Sequence, residues 1–211
     1  MRKLGVVALA LVVSTSLMAG QERRPMSPPG SATTMVGGKW TKTDKDPEYE
    51  GGKWIEITAG RPMLRQRTGV FGSGAEYGKT IKDDAPVWRA GANMSTRLKT
   101  EVPLEIGGKV VPAGEYSLFI DLKSEKDWTL VVSSHAAQTK YDRNDTTALW
   151  GGYKYTADKD VARAPMRIDN LPFAVEQLTW GFTDVTENSG TIRLWWDKTM
   201  ASVPFKVATT S

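Results

Sequence analysis

From Val36 onward, apolar and polar residues alternate with a period of two, the spacing of strands with one buried face. Trp54-Ile55-Glu56-Ile57-Thr58 sets Ile55 and Ile57 on one side. Tyr116, Leu118, Ile120 and Leu122 alternate with Ser117, Phe119 and Asp121. Phe119 makes that strand apolar on nearly both faces, so it is expected at the centre of a sheet. Trp128, Leu130 and Val132 follow a polar turn, then come Leu178, Trp180 and Phe182, then Ile192, Leu194 and Trp196, and finally Val203, Phe205 and Val207. Gly107-Gly108, Pro112-Ala113-Gly114 and Asn188-Ser189-Gly190 supply the turns between them. No stretch carries an apolar stripe at helical spacing over three turns. The pattern predicts an all-β chain: a single-domain antiparallel β-sandwich, jelly-roll-like or a partly closed barrel, with little helix.

The ends of the chain follow different rules. Arg2 and Lys3 precede an apolar run from Leu4 to Val13, and Ser14 to Gly20 form a small-residue exit. Residues 1–20 are therefore expected to be a cleaved secretory signal peptide, which implies a periplasmic or extracellular protein with no membrane insertion after cleavage. The run falls short of the roughly 20 residues of a spanning helix, so an uncleaved anchor is the lesser alternative. Residues 21–34, rich in proline and polar side chains, read as a linker. The domain is then expected over residues 35–207, with a frayed tail at 208–211. Gly37-Gly38-Lys39-Trp40 recurs as Gly51-Gly52-Lys53-Trp54, which reads as two consecutive strands of one hairpin.

Composition removes several chemistries. There is no cysteine and one histidine, His135, so thiol chemistry and the usual zinc ligand sets are excluded. His135 is expected in an exposed loop, and no Ser–His–Asp arrangement is evident around it. Removal of Arg2 and Lys3 takes the formal net charge from +4 to +2, too balanced to favour nucleic acid. Glu101, Glu105, Glu115 and Glu176 could supply a carboxylate pair for glycoside hydrolysis, but spacing selects none of them. Asp142-Arg143-Asn144-Asp145 and the acidic stretch at Asp44, Asp46 and Glu48 lack the glycine and distal glutamate of a calcium loop. No catalytic residue, metal site or cofactor is assigned.

The segment Val87-Trp88-Arg89-Ala90-Gly91-Ala92-Asn93 gathers a large aromatic, a guanidinium, a glycine and an amide in one loop. An arginine beside a tryptophan can present a planar cation for carboxylate, phosphate or sugar hydroxyls. Gly91 would allow positive φ and close approach of a ligand. With Gly60-Arg61-Pro62 and Arg65-Gln66-Arg67 upstream, and the Gly107-to-Phe119 segment downstream, the block resembles a bacterial family, domain of unknown function 2911. That resemblance spans about Trp54 to Val207 and implies an architecture and an exported location but no reaction. Arg61, Arg65, Trp88, Arg89 and Asn93 are the candidate ligand-binding residues. The same side chains could instead knit a long loop together, and the sequence leaves both readings open.

The eight tryptophans raise a second candidate. Consecutive strand residues point to opposite faces, so Trp196 is expected in the core and Trp195 outward, where it could stack on a sugar. The expected function is a binding or interaction module for an unknown small ligand or envelope component, with a glycan among the options. A carboxylate-dependent glycan hydrolase and a purely structural envelope component are the alternatives.

Overall fold

The computed structural model describes residues 26–42, 46–140, 142, 144–145, 147–149 and 151–209. The expected signal peptide, residues 1–20, lies outside them. Eleven strands and one short helix follow in chain order: β1 (Pro29–Val36), β2 (Lys39–Thr41), β3 (Glu48–Glu50), β4 (Lys53–Gly60), α1 (Lys79–Lys82), β5 (Thr96–Thr100), β6 (Leu104–Ile106), β7 (Lys109–Val111), β8 (Gly114–Ser124), β9 (Asp127–Ser133), β10 (Asp160–Thr183) and β11 (Ser189–Val207). Nine of these strands form one antiparallel sheet in the order β1-β4-β5-β8-β9-β10-β11-β6-β7, and β2 pairs only with β3. The chain is all-β, and its sheet is open, with β1 and β7 at the edges. Among the described residues, no helix is long and apolar enough to cross a membrane.

A flat sheet of nine strands would leave its apolar face wet. Here every strand of the sheet contributes to one core, from Val36 and Ile55 through Leu98, Leu118 and Trp128 to Leu178, Leu194 and Phe205. The long β10–β11 ribbon makes the fold-back possible. Its register shifts between Asn170 and Val175 and again before Thr179, and such irregularities bend a strand and tighten its twist. Past Gly60, the chain then bridges to the far half of β10: Leu64 N–H donates to Glu176 O at 2.8 Å and Leu178 N–H to Pro62 O at 2.9 Å.

The second face of β8 is covered as well. Phe119 and Val131 pack with Val87 and Leu149 against Tyr155, so the segment between β9 and β10 lies over the outside of the sheet. That is why β8 reads as apolar on both sides.

Three expectations need correction. The linker ends earlier than residue 34, because Pro29–Val36 pair in full register with Lys53–Gly60. The two Gly-Gly-Lys-Trp copies are not hairpin partners. Trp40 pairs with Tyr49, and Trp54 with Met35. The glycine pairs face each other at the kink between the two ladders. A Cβ on Gly38 would sit 2.6 Å from Glu50 O and 2.8 Å from Gly52 N, so the two backbones can approach this closely only without a side chain there. In the tail, Ala208 is held rather than frayed, its N–H bonded to Pro103 O at 2.9 Å, while residues 210–211 lie outside the described residues.

Candidate functional site

The Val87–Asn93 loop is built from the backbone outward. Trp88 exchanges both main-chain hydrogen bonds with Ile120 at 2.8 Å, occupying the flank of β8 beyond the end of β5. Its ring is buried and stacks on Trp196 of β11, with centroids 6.1 Å apart and planes 14° from parallel. The turn needs positive φ at Ala90 (48°) and Asn93 (65°), not at Gly91. Gly91 is required for space, since a Cβ there would lie 2.6 Å from Thr96 Oγ1. Ala90 O accepts hydrogen bonds from Thr96 Oγ1 at 3.1 Å and Trp180 Nε1 at 3.0 Å, which anchors the turn.

The five candidate residues part company. Arg61 donates from Nε to Leu178 O at 3.0 Å and from Nη2 to Thr179 Oγ1 at 2.9 Å, and its backbone N–H bonds Pro28 O at 2.9 Å. Arg65 Nη2 donates to Met26 O at 3.0 Å, and Asn93 Nδ2 to Ser27 O at 3.0 Å. These three residues strap the stretch Met26–Pro28 onto the domain. Trp88 is core. Arg89 brings its guanidinium to the cleft that the Trp88 ring also lines, with Nε held by Gly91 O at 3.2 Å.

That cleft, about 280 Å³, is bordered by Arg67, Lys82, Asp83, Arg89 and Tyr153, with Trp88 and Trp196 among its lining. The Arg67 guanidinium lies 5.8 Å from the Trp196 ring centroid, and its Nε and Nη2 donate to Leu64 O and Met63 O. Arg67 and Lys82 make no ion pair among the described residues. The Tyr153 hydroxyl donates to an Asp83 carboxylate oxygen, and that bond, with some burial, raises the phenol above its ordinary pKa. Gly152 lets this wall approach, since a Cβ there would lie 2.3 Å from Val87 O. Strain gathers around the cleft. Among the described residues, eight non-glycines have positive φ, and six of them (Arg65, Gln66, Asp83, Asp84, Ala90 and Asn93) belong to segments beside it.

Tyr153, Lys82 and Asp83 were missed by sequence reasoning. They come from α1 and its cap and from the segment before β10, and no local motif joins them to Arg89.

Other candidates resolve differently. Trp196 is core as expected. Trp195 is half-buried on the opposite face, with its ring over Gly181, where a Cβ would meet it at 2.8 Å. His135 is buried rather than exposed, and its Nε2 accepts the Thr156 N–H at 3.1 Å. That lone pair therefore points at backbone and not at a serine hydroxyl. Glu115 pairs with Arg97 at 2.8 Å, Glu176 accepts the Arg65 N–H, and Glu101 accepts the Trp54 N–H. Among the described residues, Asp83 is the only carboxylate on the cleft lining, so they do not assemble the two-carboxylate geometry of glycoside hydrolysis there. Among the described residues, no three His, Asp or Glu side chains gather as a metal site.

The profile of the family described as protein of unknown function, DUF2911, matches residues 42–205. The chain belongs to that family. The match begins just after β2, ends within β11 and takes in every segment that lines the cleft. No curated protein and no solved structure matches the chain.

Proposed function

We propose that this protein is an exported binding module that takes a small anionic ligand, carrying a carboxylate or phosphate group, in the cleft beside Arg89. The observation that carries the reading is the cleft's charge pattern. Among the described residues, three cations border a floor of two stacked indoles, and the one carboxylate among them already accepts a phenol. A guanidinium held by carbonyl oxygens presents its planar face and edge in a fixed direction, which suits planar or tetrahedral anions. Export rests on the signal-like residues 1–20.

Thermal unfolding in the presence of phosphate, sulfate, succinate or glucuronate tests this. At a hundred times its Kd, a bound anion raises stability by about 2.7 kcal/mol. The shift should weaken with added salt and vanish in Arg89→Ala and Arg67→Ala. A shift that persists in both variants, or no shift from any of the four anions, would overturn the reading.

A further inference from the structure

We propose that the solvent face of the β1–β4 ribbon and its β2–β3 extension binds an uncharged pyranose-based glycan chain, at a site separate from the Arg89 cleft. Single exposed apolar side chains are ordinary on protein surfaces, but this face carries a contiguous row. Trp54 is 49% exposed, and its cross-strand partner Met35 is 36% exposed. Directly paired residues on one face of an antiparallel ladder touch. Met35 in turn shares a groove of about 270 Å³ with Trp40 and Tyr49. Trp40 is 62% exposed, and its ring lies 5.0 Å from that of Tyr49, tilted by 51°. The row thus runs Trp54, Met35, Tyr49, Trp40 along one ribbon. Tyr49 is five residues from Trp54, which spaces the two platforms by at most about 16 Å at extended rise.

The polar surroundings select the ligand class. Beside Trp54, a second groove of about 340 Å³ is lined by Glu56, Lys99 and Glu101. Glu56 and Lys99 face each other across β4 and β5 and yet form no ion pair. Glu101 uses Oε2 for the Trp54 N–H at 2.9 Å. Acceptors and a donor of opposite charge stand together beside a flat ring. A strongly charged ligand would meet repulsion from one of them. A pyranose, with C–H groups on one face and hydroxyls at its rim, can stack on the indole while its hydroxyls bond the carboxylates and the ammonium.

Titration calorimetry with cellohexaose, maltohexaose, xylohexaose and chitohexaose tests the site. At least one should bind wild type. Trp54→Ala and Trp40→Ala should each weaken that binding on the order of tenfold, the scale expected for losing one aromatic contact. Trp54→Phe should restore part of it, and Arg89→Ala should leave it unchanged, which keeps failure of the cleft reading distinguishable. Circular dichroism on each variant checks the fold. Binding of none of the four sugars, or undiminished binding in a folded Trp54→Ala, would overturn the proposal. Capture of a protein on this face without sugar binding would do the same.

Discussion

Phe71 sits where four rings meet. Trp128 lies 4.8 Å away, Trp88 5.6 Å, Trp196 6.0 Å and Tyr77 6.4 Å between centroids. The floor of the cleft is therefore continuous with an aromatic cluster in the core. Truncating Trp88 or Trp196 to alanine should cost about 3–5 kcal/mol in urea unfolding. Trp195→Ala should cost clearly less, because that ring is only half-buried on the other face. Equal losses at Trp195 and Trp196 would contradict the observed faces. Tyr77 offers a pH test. Burial, opposed by the hydrogen bond from Trp128 Nε1 and reinforced by Glu125, pushes its phenol from 10.0 up to about 12. With the folded value above the unfolded one, the neutral phenol stabilises the fold fully below about pH 10, and this contribution is lost as pH climbs toward 12. Tyr116, Tyr153 and Tyr155 are also raised, so phenolate absorbance should lose one of several late-titrating steps in Tyr77→Phe, and the variant's stability should fall less steeply over that range. Unchanged slopes in both proteins would argue against it.

Among the elements, the central strands were the most legible, because alternation directly records which face is buried. Leu118, Ile120 and Leu122 point to the core, and Phe119 points to the covering segment. β1 was not legible. It is an edge strand of Gly, Ser, Ala and Thr with intermediate or exposed residues along most of its length, so its identity comes from the β4 backbone beside it and not from its own apolar content. The Gly-Gly-Lys-Trp repeat misled for a related reason: similarity in sequence says nothing about which strand is opposite. The junction of β4 with the Val87–Asn93 loop gives a prediction at this scale. A Cβ on Gly60 would sit 1.7 Å from Ala92 O, so Gly60→Ala should cost about 1–3 kcal/mol by overpacking. Ala92 N–H bonds Gly60 O at 3.0 Å, so its amide should also exchange faster with solvent in that variant. Exchange as slow as in wild type would show that the loop is held from elsewhere.

Taken whole, the molecule explains why only part of the candidate site could be read from the chain. Arg89 was visible because a cation beside a tryptophan is a local feature. Arg61, Arg65 and Asn93 looked equivalent to it, but two of them donate side-chain hydrogen bonds to the carbonyls of Met26 and Ser27, and the Arg61 backbone bonds Pro28 O. Backbone acceptors leave no mark in sequence. Tyr153 and Asp83 meet across 70 residues of chain, a contact that only the complete fold creates. Removing residues up to Pro28 should lower stability by roughly 2–4 kcal/mol, from one charge-assisted and two neutral hydrogen bonds. Met26→Ala with Ser27→Ala in the full chain should have little effect on the unfolding midpoint. A truncated protein as stable as the full one would show the strap to be idle.

That strap acts as a ruler. Its three acceptors are main-chain oxygens at consecutive positions, which any residue type would offer. The sequence just before β1 can therefore drift freely, while a single inserted or deleted residue would slide every carbonyl past its donor. Between Met26 and the first strand, the fold measures how many residues there are and is indifferent to what they are.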